Sequence, residues 1–228
     1  LAQLAGLKND WEDALELIDH ALIRNWHNHK ARHLKAAILC KLDKKEECLK
    51  WIEDSLKLDG FNHGLLFEKY LVGTDEQTRY QMKKLMAGNI HTYIEYAIDY
   101  AMAGMFEEAQ QLLLLGIDVQ DDVYPMAWYF MGWFAAQAGD KKKATAFFIK
   151  AETMKPDYCF PNKLEEVFAL QCATGLNPKA TKAYYYLGNY WYARRQYTEA
   201  IKCWEKSMQL DDTFPTVLRN LSLAYHNK

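Results

Sequence analysis

Residues 125–158 read PMAWYFMGWFAAQAGDKKKATAFFIKAETMKPDY, a stretch whose breakers mark out two helices and a turn. Pro125 suits the first turn of a helix, where its missing N–H removes no hydrogen bond. Met126–Ala138 is apolar and holds one breaker, Gly132. Gly139 predicts a left-handed C-terminal cap, and Asp140 predicts the N-cap of a second helix, Lys141–Met154. Lys155-Pro156 ends that helix, because the residue before a proline is pushed out of helical angles. Glycine inside a helix costs roughly 1 kcal/mol against alanine. Gly132 therefore predicts a close approach of the two helices with Ala144 opposite it. A large side chain at either place should cost about 1–3 kcal/mol by overpacking.

The pattern recurs. In 181–214, Tyr184, Leu187, Gly188 and Trp191 hold first-helix places, and Ala200, Trp204 and Ser207 hold second-helix places. Arg195 and Asp212 stand where Gly139 and Pro156 stood, so the turn signals are weaker there. A third copy, Ile90–Val123, carries Tyr93, Tyr96, Ala97, Tyr100, Gly104, Ala109, Leu113 and Gly116. The small second-helix residue serves as a ruler: Ala14, Cys48, Ala109, Ala144 and Ala200 are separated by 34, 61, 35 and 56 residues. One unit accounts for 34, and the two long gaps hold a unit plus 27 and plus 22.

Outward from these copies the chain divides into units 1–28, 29–60, a degenerate 61–89, 90–123 and 125–158, an extra helix in 159–180, then 181–214 and an incomplete 215–228. Asn9-Asp10 turns into a helix over Trp11–Arg24, and the next helix pair is expected at His29–Cys40 and Lys45–Leu58. In the degenerate unit, Leu65–Val72 is a short helix. Thr74 with Gln77 fits a capping box for a helix reaching Ala87. Pro161 is expected to open the extra helix through Thr174, stopped by Gly175–Pro178, and to offset the units on either side of it. Leu218, Leu221 and Tyr225 form an apolar face with no second helix to cover it, which predicts a cap, a continuing chain or self-association. The first unit enters part-way through the pattern and lacks an initiator methionine, which predicts a piece of a longer protein.

Composition excludes several classes. At 50% hydrophobic and 14% aromatic residues the chain is not disordered. A net charge of −2 argues against a general nucleic-acid or anionic-membrane binder, and no apolar run approaches the roughly 18 residues of a membrane span. No signal peptide opens the chain. Five scattered cysteines without a C-x-x-C pair read as reduced thiols of a cytoplasmic protein. Residues 24–35 carry His27, His29, Lys30, Arg32 and His33. His29 and His33 share a helix face, but no acid or cysteine lies within a turn to complete a metal site, so a solvated basic face is expected. No phosphate loop, H-E-x-x-H or G-x-S-x-G occurs. Glu107-Glu108 and Glu165-Glu166 sit where they favour a helix dipole. No catalytic residue, metal site or cofactor is expected, and no enzymatic activity.

Trp128, Met131-Gly132, Ala144, Phe148, Ala151 and Pro156 follow the order W-x2-L-G-x2-Y…A-x3-F…P, and the chain resembles the tetratricopeptide repeat family on these residues and their recurrences. The resemblance implies an all-α, right-handed solenoid of antiparallel helix pairs, interrupted by the degenerate unit and the extra helix. It also implies a non-catalytic scaffold that binds a protein or peptide in a concave groove lined by the first helix of each pair. The groove positions it implies are Ile94, Ile98, Tyr129, Trp133, Tyr185, Asn189, Tyr192, Arg219 and Asn220. Asn189 and Asn220 match the amides of a family clamp for a chain-terminal carboxylate, but Tyr185 stands where its lysine belongs, which argues against that mode. The C-terminal third, with its extra helix, is similar to the repeat region of large bacterial proteins that carry an N-terminal mutarotase-like domain. That likeness implies a bacterial source, a sister domain of the same chain as a partner, and, as an alternative role, the structural arm of a carbohydrate-related enzyme. Homodimerisation through the C-terminal helix is a further alternative.

Overall fold

A computed structural model describes residues 1–73, 75–118 and 123–226. Among these it contains fourteen helices: α1 Ala2–Leu7, α2 Trp11–Arg24, α3 His29–Lys41, α4 Lys45–Leu58, α5 His63–Gly73, α6 Glu76–Leu85, α7 Ile90–Met102, α8 Phe106–Ile117, α9 Pro125–Gln137, α10 Lys141–Thr153, α11 Leu164–Leu176, α12 Thr181–Ala193, α13 Tyr197–Leu210 and α14 Pro215–His226. They form two compact units, Leu1–Gln120 and Asp121–Lys228, where the repeat pattern predicts a single array.

The turns obey the ruler. Asn9, Asp43, Gly104, Gly139 and Arg195 all have positive φ, from 56° to 89°. Each stands five residues before Ala14, Cys48, Ala109, Ala144 or Ala200, and those five side chains are fully buried. After each left-handed residue the next N–H donates to the carbonyl five positions back: Asp10 to Ala5, Lys44 to Leu39, Met105 to Tyr100, Asp140 to Ala135 and Gln196 to Trp191, at 2.9–3.0 Å. This is the bond that closes a left-handed helix end. Asp10 and Asp140 also cap the following helix, accepting from Asp13 N and Lys143 N. At α6, Thr74 lies outside the described residues, and Asp75 is the cap, accepting from Thr78 N at 2.7 Å. At α11 the start moves from Pro161 to Leu164, because the Glu166 carboxylate accepts from the N–H groups of Asn162 and Lys163.

In the first unit α1–α6 make three helix pairs, with Ala36, Leu39, Cys48, Ile52 and Leu65 as the core of α3, α4 and α5. The pair α7–α8 does not simply extend them. Helix α7 lies against α1, α3 and α5 together. Its C-terminal turn meets α1 so closely that a Cβ on Gly6 would sit 2.4 Å from the Ala103 carbonyl oxygen. Asp99 pairs with Lys30 of α3, Tyr96 packs on His33 and His63, and Tyr100 packs on Phe67 and donates to Glu68 of α5 at 2.6 Å. Lys41 of α3 pairs with Glu108 of α8.

The basic stretch 24–35 is consequently a solvated face only in part: Arg24, His27, His29 and Lys30 are exposed. Arg32 and His33 are buried, because α3 is packed by α2, α4, α5 and α7. The Arg32 guanidinium lies 4.6 Å from the ring centres of both Trp26 and Trp51 and donates to Trp26 O and Ser55 Oγ. His29 stays outside, paired with Asp59 at 2.9 Å.

In the second unit α9 packs on α10 and α12 on α13. The room that Gly132 leaves is taken by the Phe148 ring rather than by Ala144: a Cβ there would lie 2.3 Å from the ring. Gly188 does the same for Trp204. Helix α12 has no side-chain cap of its own. Glu152 of α10 supplies one, accepting from Lys182 N, Ala183 N and the Tyr129 hydroxyl at 2.8, 3.2 and 2.7 Å. The extra helix α11 lies between α9 and α12 and sets Phe168 against Trp133.

Candidate functional site

The second unit carries a cleft of about 570 Å³ walled by α12, by α14 and by the loop that follows α10. Tyr185, Asn189, Tyr192, Arg219 and Asn220, all expected groove positions, line it together. They lie together because 189 and 192 are a turn apart on α12, while 219 and 220 sit on the face α14 turns to it. Asn189 is held in place: its Oδ1 accepts from Trp204 Nε1 and from Asn220 Nδ2, each at 3.2 Å. Among the described residues, Asn189 Nδ2 and Asn220 Oδ1 then have no protein partner, leaving one donor group and one acceptor for a ligand. Tyr192 packs against Trp204 in a tilted contact and against Tyr197 edge-on, with ring centres 5.3 and 5.1 Å apart. Arg219 is exposed and makes no ion pair among the described residues.

The other expected groove residues do not present an open surface. Tyr129 is fully buried, its hydroxyl spent on Glu152. Ile94 and Ile98 are buried within α7, and Trp133 is half-covered beside Phe168. Tyr185 contributes an edge only: it is 6% exposed and packs on Phe214 at 4.9 Å. The physical reason is shared. An inner helix face stays open only if nothing from the chain lies on it, and here α11 covers part of α9 while α7 is embedded in its unit.

Among the cleft residues outside the expected set are three exposed apolar ones, Tyr158, Phe160 and Leu223, exposed by 90%, 66% and 48%. The signal for the first two was present in the sequence. Two aromatic residues stand between Pro156 and Pro161, in a segment with no helical face to bury them. Cys159 between them points inward and is buried near Tyr124 and Tyr186, and burial pushes its thiol up to about 12. That thiol is an anchor and not a nucleophile.

Among the described residues no group of three or more His, Cys, Asp or Glu side chains is placed to hold a metal ion, and no helix is long and apolar enough to cross a membrane.

Tetratricopeptide repeat models match residues 127–158 and 181–214, both in the second unit. No curated protein matches the chain. Among solved structures, MamA is 20% identical over 76% of this chain and 82% of its own, with a TM-score of 0.31. A tetratricopeptide repeat protein from Parabacteroides merdae is 14% identical over 99% of this chain and 82% of its own, with a TM-score of 0.33. YrrB, described as a tetratricopeptide repeat protein with an unusual peptide-binding site, is 14% identical over 90% of this chain and 98% of its own, with a TM-score of 0.25.

Proposed function

We propose that the chain is a non-catalytic interaction module that holds a peptide segment, from another protein or from a sister domain of its own parent chain, in the cleft of the second unit. The observation that carries this reading is the convergence of Tyr185, Asn189, Tyr192, Arg219 and Asn220 on one concavity. Its size falls within the range of ligand clefts, roughly 300–1,000 Å³. Its chemistry suits a peptide: an amide donor and an amide acceptor for main-chain groups, aromatic faces for side chains, and one cation.

The test is selection of peptides of about a dozen residues from a random displayed library against the full chain, repeated on Leu223→Asp. Leu223 is exposed on α14, so the substitution places a charge in the cleft without disturbing the core. Peptides that bind the wild type and lose at least about tenfold in affinity on Leu223→Asp are expected. Absence of any such peptide overturns the proposal.

A further inference from the structure

Resting on that reading, we propose that the Tyr158–Phe160 segment is the specificity wall of the cleft, and that the preferred occupant is an extended peptide presenting an aromatic side chain and a nearby carboxylate.

Two exposed aromatic rings on a wandering loop would mean little. Here the backbone beneath them is tied down at several points. Cys159, between the two aromatic residues in sequence, points inward and is buried. The main chain on either side is bounded by Pro156 and Pro161, which have fixed φ. Beyond Phe160, the N–H groups of Asn162 and Lys163 are held by Glu166, and the Asn162 carbonyl accepts from Arg194, the residue that follows α12. Before Pro156, the Met154 carbonyl accepts from Lys182 Nζ of α12. Tyr158 itself is held at φ +56°, a conformation that a bulky residue adopts at a steric penalty and that persists only when the surroundings fix it. The result is a pair of rings left in water on a backbone that has little freedom left to lose. Such residues bind with a small ordering penalty, which is what distinguishes interface anchors from ordinary surface side chains.

The chemistry of the occupant follows from what the walls offer. Tyr158 and Phe160 on the loop and Tyr192 on α12 give aromatic surface on two walls of the same cleft, with Leu223 on α14. A flat side chain entering there is met by rings in stacked or edge-on contact, which aromatic pairs favour over aliphatic filling. Arg219 is the cation of this cleft and has no acidic partner among the described residues. Its planar guanidinium is matched bidentately by a carboxylate. Asp157, on the loop side, is the one acidic lining residue, so the occupant's carboxylate belongs on the α14 side, away from it. The amides of Asn189 and Asn220 remain for the peptide's main chain, which favours an extended segment over a helix whose main-chain groups are already bonded.

The experiment uses the peptides selected from the random library on the full chain, with affinities measured by fluorescence polarisation. Enriched peptides should carry Phe, Tyr or Trp within about three residues of Asp or Glu, a separation that keeps both side chains over one cleft in an extended chain. They should bind the Tyr158→Ala/Phe160→Ala double variant at least about tenfold more weakly. On Arg219→Glu a fresh selection should exchange the acidic preference for Lys or Arg while keeping the aromatic one. Both variants change exposed side chains, and unaltered circular dichroism shows that the fold persists. Cleft-dependent peptides without the aromatic–acidic pairing, or equal binding by the double variant, overturn this inference and leave the peptide-binding reading standing. No cleft-dependent peptide at all overturns both.

Discussion

Gly132 and Gly175 both interrupt helices, yet their substitution should act in opposite directions. A methyl on Gly132 would stand 2.3–2.8 Å from three atoms of the buried Phe148 ring. That ring has no room to retreat, so Gly132→Ala should cost about 1–3 kcal/mol despite the gain in helix propensity. Gly175 meets nothing within 4 Å, and Gly175→Ala should stabilise by a few tenths up to about 1 kcal/mol. Urea denaturation monitored by circular dichroism checks both, and equal effects would remove the Phe148 argument. Glu152 gives a larger expectation. Its carboxylate satisfies two N–H groups of α12 and the buried Tyr129 hydroxyl at once. Glu152→Ala should therefore cost about 2–4 kcal/mol, since an orphaned buried donor costs more than a lost bond. A loss under about 1 kcal/mol would show that water replaces the carboxylate freely. The tight place at Gly132 was readable from the repeat pattern, but the role of Glu152 was not. Tyr129 sits at a first-helix position that the family pattern assigns to a groove, and only the partner, 23 residues away, reveals that it is spent on the fold.

At the scale of elements, the helices and their turns were legible because left-handed caps, prolines and small residues act locally. The placement of α7 was not. Its sequence copies the repeat, but the residues that decide its position are His33, His63, Phe67 and Glu68, which lie in the preceding repeats, 29–60 and 61–89, and carry no periodic signal. Phe168 of α11 hid Trp133 for the same reason. The packing of α7 also sets a pH dependence. Burial, with Glu108 adding and the Tyr100 hydroxyl opposing, raises the Glu68 carboxyl from 4.5 to about 7. Folding there takes up a proton, so this contribution is full below pH 4.5 and is lost as pH rises through 7. Burial, reinforced by Lys30 and opposed by a main-chain hydrogen bond at His29, lowers His33 from 6.5 to about 3. Folding there releases a proton, so its contribution is full above pH 6.5 and is lost as pH falls through 3. Between 4.5 and 6.5 the two slopes oppose, and these two groups leave stability nearly flat. Glu68→Gln should unmask His33, giving stability that rises by up to about 1.4 kcal/mol per pH unit across that window. Urea midpoints of the wild type and the variant at several pH values check this, and parallel profiles would refute the opposed pair.

At the scale of the whole molecule, the repeat rhythm continues through a chain whose packing divides. The ruler residues Ala109 and Ala144 are 35 apart, one residue more than a unit, so nothing in the spacing marks a boundary between them. The boundary lies instead in what each core contains. The first unit closes on itself because α7 spans three of its own helices. The second is held by the Gly132–Phe148 and Gly188–Trp204 contacts and by Glu152. Each unit is of ordinary domain size, and each buries aromatic or aliphatic side chains completely. Fragments 1–120 and 121–228 should therefore fold separately, each unfolding as one cooperative transition. Their summed helical circular dichroism should match that of the intact chain. The destabilising substitutions should segregate as well. In the full chain, Glu152→Ala should lower amide hydrogen-exchange protection in α9–α14 and leave α1–α8 unchanged, while Glu68→Gln should do the reverse, since stability set by local cores is lost locally. A fragment that fails to fold, or a substitution that lowers protection uniformly across both units, would show that the two cores share one cooperative transition despite their separate packing.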